Sequence, residues 1–141
     1  RLIADLLDLT RLRLGAPLPV EARSMHLGEC CLQVLDELQS VHPDRRILLD
    51  AQGDLCGTWD PERILQLLSN LVGNALKHGA RDAPVSVDLR GEGDRVRIRV
   101  HNAGRSIPEA LRARLFEPLV QGDGADLDSS GPRRGLGLGL Y

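Results

Sequence analysis

Between residues 60 and 79 the apolar positions fall at helical spacing. Ile64, Leu65, Leu67, Leu68, Leu71, Val72, Ala75 and Leu76 make one wide buried face. Asp60 suits the N-cap, Pro61 the first helical position and Gly79 the stop. A second helix fits 27–41, with Leu27, Cys31, Val34, Leu35 and Leu38 on one side and His42-Pro43-Asp44 as its breaker. Residues 2–14 carry Leu2/Ile3, Leu6/Leu7, Leu9 and Leu12, the spacing of a helical stripe at the end of a coiled coil. Gly15-Ala16-Pro17 and Pro19 end it, and residues 16–25 read as a linker.

Elsewhere the period changes to two. Val85, Val87 and Leu89 alternate, as do Val96, Ile98 and Val100, with Gly91-Glu92-Gly93-Asp94 between them. That pattern predicts a β-hairpin. Arg46–Asp50 and Asp54–Thr58 read as two short strands around a Gln52-Gly53 turn, and Pro108–Phe116 as a short helix. Residues 120–135 are polar and glycine-rich, the composition of a loop, before apolar residues resume at alternate positions to Tyr141. The order predicts an α+β fold, a two-layer α/β sandwich whose mixed sheet is covered on one face by helices.

Composition narrows the function. The 141 residues are 42 % hydrophobic and 27 % charged, which fits one globular domain. The net charge of −2 offers no basic surplus for neutralising phosphates, so no nucleic-acid partner is expected. Phe116, Trp59 and Tyr141 are the only aromatics, too few for a base-stacking platform. Cys30, Cys31 and Cys56 form no C-x-x-C pair and read as small buried apolar residues in a reducing compartment. No run approaches the roughly 20 apolar residues of a membrane-spanning helix. Without an initiator Met, and ending abruptly at Tyr141, the chain reads as a piece of a longer protein.

Three constellations carry candidate chemistry. On the long helix, Asn70 and Asn74 are four apart, and Lys77, the only lysine, and His78 follow on the same stripe. Asparagine is a mediocre helix former, so two on one face are unusual. The stripe suits either a solvated polar face or a metal–phosphate site, since an amide oxygen is a hard ligand for Mg²⁺ and a lysine neutralises phosphate. Next, Asn102-Ala103-Gly104-Arg105-Ser106-Ile107-Pro108 follows a strand directly. It reads as a plain turn, or as an amide placed to hydrogen-bond a flat heterocycle. Last, Gly135, Gly137 and Gly139 alternate, as backbone approaching phosphate oxygens requires, although a terminal glycine tail has the same look.

Taken in order, these motifs resemble the ATP-binding catalytic domain of sensor histidine kinases, in the superfamily shared with gyrase, mismatch-repair and heat-shock chaperone ATPases (the Bergerat fold). Leu68-Ser69-Asn70-Leu71-Val72-Gly73-Asn74-Ala75-Leu76-Lys77-His78 resembles its asparagine box, Leu115–Leu119 its phenylalanine box and Gly135–Leu140 its second glycine box. Residues 1–15 resemble the end of the dimerisation and phosphoacceptor helix, and 26–141 the catalytic domain, incomplete at its C-terminus. The resemblance implies the following roles. Asn74 holds Mg²⁺ at the ATP phosphates and, with Lys77, forms the catalytic pair. Asn70, Lys77 and His78 contact phosphate or order the metal's waters. Asn102 meets the adenine amino group, and Gly104 and Ile107 line that pocket. Gly135, Leu136, Gly137, Leu138 and Gly139 border the phosphates. Residues 120–135 form a lid, from which Arg133 or Arg134 reaches the γ-phosphate.

The first glycine box departs from the family's usual D-x-G-x-G-I. Asn102 stands for the Asp and Ser106 for the second Gly. An amide oxygen still accepts a hydrogen bond, without the strength of a carboxylate. Asn70 occupies the position where the family's hydrolases resemble one another in a water-activating Glu, so transfer to histidine is favoured over an ATP-hydrolysing switch or a scaffold with degenerate catalysis. None of His26, His42, His78 and His101 sits in a phosphoacceptor pattern, so none in this chain is the acceptor. The implied partners are an upstream dimerisation and phosphotransfer domain of the same protein, a response regulator and, in the full-length protein, a second copy. The implied location is cytoplasmic.

Overall fold

The computed structural model describes residues 19–112. Two compact units divide the chain. Val20–Arg105 is one, and the segments on either side of it make the other. The expected helix at 2–14, the phenylalanine box, the lid and the second glycine box lie outside the described residues.

In the first unit the elements run β1 (Arg23–His26), α1 (Leu27–Val41), β2 (Ile47–Gln52), β3 (Cys56–Trp59), α2 (Pro61–His78), β4 (Val85–Glu92) and β5 (Arg95–Asn102). The α+β expectation holds, as does the extent of both helices. β2 pairs parallel with β4, starting at Ile47 opposite Val85, and β4 pairs antiparallel with β5, from Val85 opposite Asn102 to Glu92 opposite Arg95. Parallel neighbours need a long crossover, and α2 supplies it.

Both expected strands around Gln52-Gly53 are present, and they pair with other strands and not with each other. β2 goes to β4, and β3 pairs antiparallel with β1, Arg23 facing Trp59 and His26 facing Cys56. Residues 23–25, read as linker, therefore belong to strand β1. Gly53 turns the chain at φ 81°, and a Cβ there would lie 2.6 Å from the Gly91 carbonyl oxygen.

The core is aliphatic. Leu27, Cys31, Val34 and Leu35 of α1 and Leu68, Val72, Ala75 and Leu76 of α2 meet Val85, Val87 and Leu89 of β4, all buried. Burying a Leu or Val side chain contributes about 1.5–3 kcal/mol, and this layer supplies the fold's driving force. Leu67, placed on the buried face by its spacing, is instead 43 % exposed, at the border with the polar stripe. Of the cysteines only Cys31 is buried, where desolvation first, and Cys30 beside it second, push its thiol up to about 11. Cys30 is half-buried and Cys56 exposed, against expectation.

The other sheet face is charged. Arg90 reaches Asp50 at 2.5 Å and Asp88 at 3.6 Å, and Arg97 reaches Glu92 at 2.9 Å. Exposed pairs of this kind add little stability, and the face is a solvated surface.

In the second unit, α3 (Glu109–Arg112) is the described start of the expected short helix. Arg112 donates from its backbone N–H to the Pro108 carbonyl and from Nε to that of Ile107.

Candidate nucleotide-binding site

The polar stripe rides on α2, whose start is tightly held. Asp60 accepts from the backbone N–H groups of Glu62 at 3.0 Å and Arg63 at 3.2 Å, the N-cap read from the sequence. It also accepts from the Glu21 N–H at 2.9 Å, which moors the segment before β1 to the helix. The Glu21 bond foremost, then those of Arg63 and Glu62, hold the Asp60 carboxyl below the usual carboxylate range.

With Leu68, Val72, Ala75 and Leu76 turned into the core, the helical period sends Asn70, Asn74 and Lys77 to the opposite side. Asn70 and Asn74 are half-buried, and Lys77 and His78 exposed. Among the described residues, none of these four side chains has a hydrogen-bond or ion-pair partner within the chain. Half-buried amides so placed keep their full donor and acceptor capacity for something else. His78 is held below its ordinary pKa of 6.5, first by desolvation and then by the Lys77 charge, and is therefore neutral at pH 7. Lys77 is then the cation of the stripe.

At the helix end the chain meets the end of β5. Gly79 N–H donates to Ala75, and Ala80 N–H donates to the Ala103 carbonyl at 2.7 Å. A Cβ on Gly79 would lie 3.0 Å from Asn102 Cβ, so the two residues touch. Gly104 has φ 151°, and a Cβ there would come 3.2 Å from the His78 carbonyl oxygen. Side chains rarely adopt that backbone value, and this contact is tight, so glycine is required on both counts. Asn102 turns its Nδ2 to the Ala103 carbonyl at 3.3 Å. The reverse orientation would set two oxygens face to face, so Oδ1 is the atom left free to accept.

The structure thus gathers Asn102 and Gly104 with the Lys77–Ala80 end of α2, and strings Asn74 and Asn70 back along the helix at about 6 Å per four residues. Ile107 belongs to the second unit and is exposed. Gly135, Leu136, Gly137, Leu138, Gly139, Arg133 and Arg134 lie outside the described residues. The groove lined by Asp88, Arg90, Glu92, Arg97 and Arg99 is on the outer sheet face, where Arg90 pairs with Asp88 and Arg97 with Glu92, and takes no part in this cluster.

Sequence reasoning missed Arg45. It is 7 % exposed, and its Nη2 donates to the Ala80 carbonyl at 3.1 Å and its Nη1 to that of Gly79 at 3.4 Å. An arginine just before a strand carries no signal in one sequence, since most are solvated.

A metal fits this site only in one way. No group of three or more His, Cys, Asp or Glu among the described residues could hold an ion. An uncommitted amide oxygen such as that of Asn74 suits a hard cation that keeps most of its waters and takes further oxygens from a phosphate, which is the preference of Mg²⁺.

The elements thus make a two-layer sandwich with an asparagine stripe on one helix and a strand-end amide beside its C-terminus. The family model "Histidine kinase-, DNA gyrase B-, and HSP90-like ATPase" matches residues 59–141, and the chain belongs to this family. It is 33 % identical over 141 residues to the bacteriophytochrome of Pseudomonas aeruginosa, covering all of this chain and 19 % of that protein. The chain therefore spans only about a fifth of that relative's length. Among solved structures, the catalytic domain of histidine kinase ThkA matches at TM-score 0.67 and 27 % identity, over 85 % of this chain and 75 % of that one. ThkA in complex with response regulator protein TrrA matches at 0.69 and 26 %, over 86 % and 36 %. Full-length ShkA in complex with AMPPNP matches at 0.76 and 28 %, over 99 % and 28 %. The fold is that of the histidine-kinase catalytic domain. No helix among the described residues is long and apolar enough to cross a membrane.

Proposed function

We propose that this chain is the ATP-binding part of a sensor histidine kinase and presents the γ-phosphate of Mg-ATP to a histidine on an upstream dimerisation domain. The observation that carries the reading is the uncommitted stripe Asn70–Asn74–Lys77 ending where Asn102 leaves an amide oxygen free. Asn102 Oδ1 accepts from the adenine amino group, and Gly104 lets the base approach the backbone. Asn74 holds Mg²⁺ through its amide oxygen. Asn70 and neutral His78 donate to phosphate oxygens or metal waters, and Lys77 supplies positive charge where the phosphates lie. The bound metal supplies charge neutralisation on the transferring group. Phosphoryl transfer asks the protein chiefly for positioning and electrostatics, which these residues provide.

The glycine run Gly135–Gly139, with Leu136 and Leu138, borders the phosphates in this reading, and Ile107 lines the base pocket. Residues 1–15 continue the dimerisation helix. The parent protein acts in the cytoplasm as a homodimer and passes its phosphate to a response regulator. Asn70 offers no general base for activating water, which favours transfer over hydrolysis.

The test is calorimetry with Mg-ATP on the chain and on Asn74→Ala. The expected result is Mg²⁺-dependent binding that Asn74→Ala abolishes. Unchanged affinity in that variant would remove Asn74 from the site. Release of free phosphate by the chain alone would favour the hydrolase instead.

A further inference from the structure

Arg45 is a buried guanidinium with no carboxylate partner among the described residues, and its Nε is buried without any hydrogen-bond partner. Burying such a charge is costly, so it calls for a specific return. What the arginine does is specific. Its two Nη groups clasp the carbonyls of Gly79 and Ala80, at the negative end of α2. Ala80 N–H in turn donates to Ala103 O at 2.7 Å, and that same oxygen receives Asn102 Nδ2 at 3.3 Å. A continuous relay therefore runs Arg45, Ala80, Ala103, Asn102. The loop that carries Arg45 is itself tied down. Gln39 Nε2 donates to the carbonyls of His42 at 3.0 Å and Arg45 at 2.7 Å, and Arg45 N–H donates to His42 O at 3.0 Å.

We propose that Arg45 is a positioning residue for base recognition. By fixing the Gly79-Ala80 carbonyls it fixes the Ala103 oxygen, which holds the Asn102 amide with Oδ1 outward as the acceptor for an exocyclic amine. The role rests on the nucleotide reading above, yet concerns only the amine of the base. Arg45 touches no nucleotide atom, so its effect is confined to the ligand group that Asn102 reads.

The experiment compares ATP with purine riboside triphosphate, which lacks the 6-amino group, on the chain, Arg45→Met and Arg45→Lys. The chain should bind ATP more tightly than the analogue. Arg45→Met should lose about tenfold in ATP affinity, the size of one net hydrogen bond's orientation, while its affinity for the analogue stays within about twofold. Arg45→Lys keeps the charge and one bond and should fall between. Gln39→Ala, which frees the Arg45 loop without altering the arginine, should weaken ATP selectively too and serves if Arg45→Met does not fold. A residue that merely stabilises the fold would lower the melting temperature and affect both nucleotides alike. Equal loss for both, or none for ATP, in the variants that fold overturns the proposal. Failure of the unaltered chain to bind either nucleotide overturns the nucleotide reading itself, and this role with it.

Discussion

Gly104→Ala tests the junction between helix end and strand end with numbers taken from the structure. At φ 151° an alanine pays about 1–3 kcal/mol of backbone strain. Its Cβ would also stand 3.2 Å from His78 O, a backbone atom that cannot swing aside. The strain appears in one of two places. If the turn keeps its shape, the cost falls on folding, and each 1 kcal/mol lowers the melting temperature by about 3–4 °C for a chain of this length. If the turn relaxes outward, the fold is spared and the cost returns when nucleotide closes the site, as an affinity about 5- to 150-fold weaker. Thermal melts and Mg-ATP calorimetry on the same sample capture both. Gly93→Ala is the matched comparison. Gly93 also has positive φ, at 67°, but open space around it, in the β4–β5 turn at the far end of the hairpin from Asn102. It should lose stability only. A Gly104→Ala protein with unaltered melting temperature and affinity, or a Gly93→Ala protein that loses as much affinity, would refute the reasoning.

Three further outcomes follow from single features. Gly73→Ala, inside α2 with nothing near its would-be Cβ, should stabilise the fold by about 0.5–1 kcal/mol in urea unfolding, since glycine is the poorer helix former. Leu89→Ala, at 0 % exposure, should cost about 2–5 kcal/mol by the same measurement. His78, depressed by desolvation and by Lys77, should titrate below 6.5 by NMR, and Lys77→Gln should raise it. Because the unfolded chain binds that proton more readily, the stability His78 lends is present above about pH 6.5 and is lost as pH falls through its folded value.

The helices and the hairpin were legible because each is written in local periodicity, with caps at Asp60 and Gly79. The pairing of β2 and β3 was not. Two short strands beside a glycine look like a hairpin, and only the distant β4 and β1 decide otherwise. The Asn70–Asn74–Lys77 stripe was legible because asparagine is poorly suited to a helix and stands out there. Leu67 was misplaced because helical spacing cannot locate the edge of a buried face to within one residue. Arg45 was invisible, since its importance lies in carbonyls 34 and 35 residues away.

The meeting of these residues follows from topology. The chain leaves α2 at His78 and enters β4 at Val85, and the hairpin brings β5 back until Asn102 stands opposite Val85. The end of the helix, the start of β4 and the end of β5 must therefore converge. A helix C-terminus is the negative end of a dipole, and a carboxylate at position 102 would face it and the Ala103 oxygen together. An amide meets neither objection, because its NH₂ satisfies Ala103 and its oxygen remains an acceptor. The Arg45 guanidinium is committed to the Gly79 and Ala80 carbonyls at that same end. The asparagine at 102 is thus a residue that this particular junction accommodates.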